Sequence, residues 1–388
     1  MEIIDMLENK KLIYITPLNF RTCFANQIQV LSMAQAFSQL LGNGFILVCS
    51  GEENENLSKI PHHIVNPPFF KRFFSIYYYF LWMPFLLISN RSTVSQTILY
   101  FKDTRLATYA LIWKKLFSSN IRIVMEAHVP FPLDRYVFPR VDLIVTITKA
   151  MVEIIKNQYY ISPQKISLLP DGVDLKKFDL NTNHLEARKI TNLPLNKKII
   201  LYSGSVGFYK DWKGEDVFIK AAKFFTNDFI FVVVGGNSSD AEKSTGEFLP
   251  ENVLCVGRQP HASIPLYLKA ADILILPNKK GNQISEKLTS PLKLFEYMAS
   301  NTPIIASNLP SIREVLNDAN ALLVEPNNPK ILADGIAKLI QDKKLASSLA
   351  KQAIIDVKSY EWRNRARQVL DIFNKNLLRN EHYFNQEN

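Results

Sequence analysis

At 388 residues the chain is too long for one ordinary core and fits two domains of typical size. A hydrophobic share of 47% with 21% charged residues excludes a long disordered chain. The net charge of +10 favours anionic partners. Phosphorylated substrates and anionic lipid fit that sign, whereas the basic residues are too scattered, with no groove-reading motif, for nucleic acid.

The opening Met1-Glu2-Ile3-Ile4-Asp5 lacks the basic and apolar regions of a secretory signal, which predicts a cytoplasmic protein. Cys23, Cys49 and Cys255 have no metal-ligand spacing and read as reduced thiols. Lys11–Thr16 reads as the first strand. Gln27–Leu41 has helical spacing and stops at Gly42-Asn43-Gly44, and Phe45–Cys49 is the second strand. Thr97–Phe101, Arg122–Glu126 and Leu143–Ile147 continue the series. Continuous apolar strands separated by helices imply a parallel sheet covered on both faces.

Between these strands lies an aromatic run from Phe69 to Ile88, led by Lys71-Arg72 and interrupted by Pro84. It falls short of the about 20 apolar residues of a spanning helix. Two readings stay open: a core helix over the sheet, or an interfacial helix on an anionic leaflet with Tyr78, Phe80 and Trp82 toward lipid. One helix can serve both, packing one face inward and showing lipid the other.

The pattern restarts after the polar segment Asn192–Asn196. Lys198–Ser203 is a strand entering a loop at Gly204, followed by a helix over Asp216–Phe225 and a strand over Phe229–Val234. Val253–Val256, Asp272–Leu276, Pro303–Ser307 and Ala321–Val324 are further strands. Helices over Lys330–Gln341, Lys344–Lys358 and Glu361–Leu378 close the chain. The expected architecture is α/β, with two doubly wound Rossmann-like domains facing a central cleft. The domains are residues 1–192, joined by a C-terminal helix over 361–388, and residues 193–360.

Ser290-Pro291-Leu292-Lys293-Leu294-Phe295-Glu296 carries the strongest chemical signal. Ser290 suits an N-cap and Pro291 the first helical position. The amides of Leu292 and Lys293 then form an anion site suited to a diphosphate. Glu296, further along the helix, suits an uncharged hydroxyl. Asn301 can end the helix in a left-handed turn.

This segment resembles the donor motif of retaining glycosyltransferases of family 4, which have the two-domain GT-B fold. The resemblance extends over nearly the whole chain. Leu169-Pro170-Asp171-Gly172-Val173-Asp174 through Phe178 is similar to the family's PNGVD…F element. Tyr202-Ser203-Gly204-Ser205 with Trp212-Lys213-Gly214, Val256-Gly257-Arg258 and Ala271-Asp272 through Pro277 fall in the family's order. It implies that Lys213 neutralises the donor diphosphate. Ser205 stands where many members have arginine, and Lys293 or Arg258 is the candidate to compensate. Glu296 matches the second glutamate of an E-x7-E element and implies contact with ribose. The first glutamate is replaced by Leu288, with Glu286 the candidate substitute. Glu126-Ala127-His128 resembles the family's E-x-H and implies that His128 faces the donor sugar. In the first loop Arg21, Asn26 and Gln29 match an R-A-N-…-Q form and are candidate acceptor-side contacts, or plain capping and surface residues.

The implied reaction moves a hexosyl group from a nucleoside diphosphate sugar to an acceptor hydroxyl with retention. Helix amides and Lys213 stabilise the leaving group. No Asp-x-Asp element or ligand-spaced cluster occurs, so neither a divalent metal nor another cofactor is expected. His128, Lys213 and Glu296 are the candidate catalytic residues. Basic charge and the aromatic run point to a lipid-linked or cell-envelope saccharide as acceptor, with peripheral contact on an anionic membrane. A non-catalytic nucleotide-sugar-binding relative and an epimerase of the same fold are the alternatives. A NAD-dependent oxidoreductase is disfavoured because no G-x-G-x-x-G follows the first strand.

Overall fold

The computed structural model describes residues 11–22, 24–66, 75–89, 97–117, 121–207 and 211–384. The opening pentapeptide, Cys23 and Phe69–Phe74 of the aromatic run lie outside these residues. The chain forms two compact units, Met1–Pro170 with Trp362–Asn388, and Asp171–Glu361.

The first unit carries a seven-stranded sheet in the order β3-β2-β1-β4-β5-β6-β7, all neighbours parallel. The strands are β1 (Lys11–Ile15), β2 (Phe45–Cys49), β3 (His62–Ile64), β4 (Thr97–Phe101), β5 (Arg122–Ala127), β6 (Leu143–Thr146) and β7 (Ile166–Leu168). Central β1 and β4 are apolar on both faces and buried along nearly their whole length, as helix-covered parallel strands must be. The edge strands β3 (His62-His63-Ile64) and β7 (Ile166-Ser167-Leu168) were not anticipated from the sequence, because polar residues break the apolar run that marks the equally short β10 and β13. The helix Ala25–Leu41 follows β1, and the terminal helix Trp362–Phe384 packs against it.

The second unit has a six-stranded parallel sheet in the order β10-β9-β8-β11-β12-β13. Its strands are β8 (Lys198–Ser203), β9 (Phe229–Val234), β10 (Val253–Cys255), β11 (Ile273–Leu276), β12 (Ile304–Ser307) and β13 (Leu322–Val324). One face of the sheet packs on Leu294, Phe295 and Met298, the other on Phe218, Ile336 and Leu349.

The boundary between the units falls at Pro170–Asp171, earlier than the expected 192. The reason is packing: Val173, Ala187 and Leu193 enter the core of the second unit. Arg188, nearly fully buried, ties the helix His184–Ile190 down by donating to Ala270 O and Asp272 Oδ2 at 3.0 and 2.7 Å.

The aromatic run forms a helix over Ser75–Ser89 that keeps Pro84 in its interior. Tyr79 and Met83 are fully buried, and the Tyr79 hydroxyl donates to Thr16 O at 2.9 Å. Phe80 packs on Tyr109 and Trp113, and Trp82 stacks on His63. Phe80 and Trp82 therefore face the protein. The outward stripe is Tyr77, Leu81 and Phe85, at 60, 63 and 71% exposure, spaced one helical turn apart. Among the described residues no helix is long and apolar enough to cross a membrane.

Candidate active site

The donor-type segment forms the helix Leu292–Ala299, whose buried face carries Leu294, Phe295 and Met298. Its start differs from expectation. Pro291, with ψ of 126°, takes the capping position itself, and the Ser290 hydroxyl makes no cap. Ser290 Oγ instead accepts from Asp171 N at 3.2 Å, because its buried position faces the incoming chain. The amides of Leu292 and Lys293 still open the helix, and Leu294 N bonds back to Pro291 O. Asn301, at φ 58°, supplies the left-handed exit.

Tyr297 fixes this helix to the sheet: its buried hydroxyl accepts from Ser203 N at 2.8 Å, at the end of β8. The loop Gly204-Ser205 begins there. A Cβ on Gly204 would lie 2.7 Å from the Tyr202 hydroxyl, so the loop backbone rests on that ring. Lys213 Nζ donates to Ser205 Oγ at 2.6 Å. Ser205 thus does not replace the charge of an arginine; it holds the neighbouring ammonium in place. Gly214 follows at φ 76°, and a Cβ there would sit 1.8 Å from Pro277 O. Only glycine lets the 211–214 turn close on the end of β11.

Lys293 has the most unusual setting. Its Nζ is buried, with no hydrogen-bond partner among the described residues, and lies 4.1 Å from the centroid of Tyr202. Burial, reinforced by the Lys213 charge and only partly opposed by Glu215 and Glu296, brings its pKa down to about 7.

Glu296 is nearly buried and accepts from His261 through Nε2···Oε1 at 2.7 Å. His261 is a partner that sequence reading missed, since nothing local to Pro260-His261 marks it. Leu288 is buried at the end of the π-helical segment Ile284–Leu288. Glu286 Oε1 accepts from Gly281 N at 2.6 Å, so in this structure its carboxylate closes its own loop. Arg258 is exposed beyond β10.

In the first unit, Glu126 at the end of β5 is fully buried. Its Oε1 accepts from Gln29 Nε2 (2.5 Å), His128 Nε2 (2.8 Å) and Arg365 Nη2 (2.9 Å), and its Oε2 from the Tyr100 hydroxyl. Lys102 donates to Gln29 Oε1. Burial alone would raise the Glu126 pKa; Arg365, His128 and Lys102 override it and hold the carboxyl well below its usual range. An ionised carboxylate only accepts, so His128 carries its proton on Nε2, and in the neutral ring Nδ1 is the acceptor. Gln29 therefore belongs to this cluster. Of the other first-loop candidates, Arg21 pairs with Glu52 at the surface and Asn26 is exposed. Gln27, not singled out from the sequence, secures that loop by accepting from Phe24 N and donating to Asn19 O. Arg365, Tyr100 and Lys102 were also not anticipated.

Two parallel-sheet Rossmann-like units, one with a helix start flanked by lysines at its strand ends, define the GT-B class of glycosyltransferase folds. A family model described as Glycosyl transferases group 1 matches residues 183–356, and one described as Glycosyltransferase Family 4 matches residues 27–177. The chain belongs to these group 1, family 4 glycosyltransferases. It is 24% identical over 257 residues to a D-inositol 3-phosphate glycosyltransferase of Corynebacterium urealyticum, across 62% of this chain and 58% of that protein. It is 29% identical over 206 residues to an Escherichia coli UDP-Gal:alpha-D-GlcNAc-diphosphoundecaprenol alpha-1,3-galactosyltransferase, across 50% of each. The matched stretches thus span 58% and 50% of these two relatives. Among solved structures, Anabaena HepE in complex with UDP-glucose is similar with a TM-score of 0.70 at 14% identity, over 94% of this chain and 99% of that one.

Proposed function

We propose that the protein transfers a hexosyl group from a nucleoside diphosphate sugar to an acceptor hydroxyl, with retention at the anomeric carbon. One observation carries this reading: Lys213, positioned by Ser205, shares the strand ends of the second unit with the start of the Leu292–Ala299 helix. Two kinds of preorganised positive charge, an ammonium and helix amides, suit the charge that builds on a departing diphosphate. We assign the diphosphate to that site and the ribose hydroxyls to Glu296, whose orientation His261 sets. His128, oriented by Glu126, is assigned to a sugar hydroxyl. No divalent ion enters this reading. That HepE was solved with UDP-glucose favours a nucleotide-sugar donor here.

The test is a thermal-shift panel of UDP-, ADP-, GDP- and dTDP-sugars, followed by transfer or hydrolysis of the stabilising donor. A donor binding native protein raises its melting temperature by mass action. If no nucleotide sugar shifts the melting temperature or is consumed, the reading is wrong.

For the acceptor we propose a lipid-linked saccharide at an anionic membrane surface. The exposed stripe Tyr77, Leu81, Phe85 supports it, as does the diphosphoundecaprenol in the name of the E. coli relative's substrate. Transfer from the identified donor to lipid-linked and water-soluble saccharides, compared side by side, decides between acceptor classes.

A further inference from the structure

A buried ammonium with no acceptor is an incomplete interaction. Removing a charge from water is costly unless a counter-charge or hydrogen bonds replace the lost hydration. Lys293 Nζ makes no hydrogen bond or ion pair with any described residue; it lies over the Tyr202 ring, and Glu215 and Glu296 act on it without pairing with it. Its surroundings make the deficit specific. Tyr202 comes from β8 and lies under the Gly204-Ser205 loop. Lys213 arrives from the Asp211–Lys213 turn and repels Lys293, while Glu215, on the next helix, is buried with its Oε2 unpartnered. On its own helix, Glu296 is held by His261 and Tyr297 is bonded to Ser203. Asp216, also near Tyr202, is paired with Lys279. Two lysines therefore converge beside a helix start, and neither Glu215 nor Glu296 pairs with Lys293, so what is missing is an anion in contact with its Nζ.

We propose that Lys293 is the second cation of the diphosphate site and that the donor brings its counter-charge, so that anion and proton bind together. The inference rests on the donor-site reading above and adds to it a linkage between donor binding and pH. In the ligand-free site, burial and Lys213 leave Lys293 with a pKa of about 7. A diphosphate alongside raises it, so a proton is drawn from solvent at any pH above about 7 and below the raised value. Below about pH 6 the lysine already carries the proton and none is taken up.

The experiment is calorimetric titration with UDP-glucose, ADP-glucose and GDP-mannose, diphosphate diesters that do not themselves titrate near neutrality. Each is measured in two buffers of different ionisation enthalpy at pH 6 and pH 8. The wild type is expected to take up close to one proton per donor at pH 8 and close to none at pH 6, with affinity falling roughly tenfold per pH unit above about 7. Lys293→Met should bind with no uptake and a flat pH profile. Lys293→Arg, charged throughout, should also show no uptake and keep its affinity at pH 8. Met replaces an unpartnered charge on an aromatic face, so the variant is expected to fold. Uptake that persists in Lys293→Met, or wild-type binding without uptake, overturns the role of Lys293 and leaves the donor site standing. Binding of none of the three donors overturns the donor site and this inference together.

Discussion

Arg365 on the terminal helix donates through Nη2 to Glu126 Oε1 at 2.9 Å, joining residues 239 positions apart in a setting from which both are excluded from water. The same guanidinium also donates to the carbonyls of Leu169 and Pro170. Arg365→Met should therefore destabilise the first unit by about 3–5 kcal/mol, because Glu126 is left as a buried charge without its main counter-ion. Arg365→Met combined with Glu126→Gln should cost less than Arg365→Met alone. Urea melts of the three variants check this; a double variant as unstable as the sum of the two single ones would show that the pair is not coupled.

Because Arg365, His128 and Lys102 hold the Glu126 carboxyl well below its unfolded value, its contribution to stability is complete above the unfolded pKa of about 4.3. It shrinks as pH falls below that value and is gone once pH has passed below the lower, folded one. Acid unfolding of Glu126→Gln should be flatter than that of the wild type below about pH 4, followed by far-UV circular dichroism.

Lys293 gives the opposite sign. Its folded pKa lies below the unfolded one, so the cost of its burial is fully present below about pH 7 and fades as pH rises toward about 10. Ligand-free Lys293→Met should be more stable than wild type at pH 7, and the advantage should shrink by pH 9.5. A difference that stays constant across that range would contradict the burial of a titrating ammonium.

Lys213→Ala should slow transfer by about 10²–10³-fold, the scale for removing one preorganised stabiliser of developing charge. Ser205→Ala, which frees the ammonium without deleting it, should cost less. Equal rates for Lys213→Ala and wild type would remove this lysine from the reaction.

Gly214→Ala puts a methyl group 1.8 Å from Pro277 O at a left-handed φ, so the 211–214 turn must move. Loss of at least about 1–2 kcal/mol of stability is expected from the backbone conformation alone. Transfer should fall with it, since Lys213 is the preceding residue.

Replacing Tyr77, Leu81 and Phe85 together by Ser removes the exposed stripe without touching the core. Binding to vesicles containing anionic phosphatidylglycerol should fall at least about tenfold, given about 1.5–3 kcal/mol per large apolar side chain transferred from water. Replacing Phe80 or Trp82 instead should unfold the helix from its neighbours. Unchanged sedimentation of the triple variant would remove the membrane from the proposal.

Sequence alone made the sheets legible because strands such as Thr97–Phe101 and Phe229–Val234 are unbroken apolar runs, a pattern that only a helix-covered parallel sheet requires. β3 and β7 escaped because the histidines of one and the serine of the other interrupt the apolar run. At the site, local spacing located the helix at Leu292 and its left-handed exit at Asn301. It could not show that Ser290 bonds to Asp171, since that partner is 119 positions away. Arg365 and His261 were hidden for the same reason: each acts on a carboxylate brought to it only by folding. The stripe on the Ser75–Ser89 helix was misphased because Pro84 and the consecutive aromatics Tyr77-Tyr78-Tyr79-Phe80 blur the helical period.

The terminal helix belongs to the unit that begins the chain, and this bears on the order of synthesis. Residues 11–170 leave the ribosome with all seven strands of their sheet, yet Arg365, the main counter-ion of Glu126, is made almost two hundred residues later. Until then Glu126, at the end of β5, has of basic residues only His128 and the more distant Lys102 beside it and lacks its main counter-ion, and the surface of the Ala25–Leu41 helix that receives the last helix stays open to water. Completion of the first unit is therefore postponed until the second unit has been made, so a nascent chain halted after the second unit presents an unfinished first unit to chaperones and proteases.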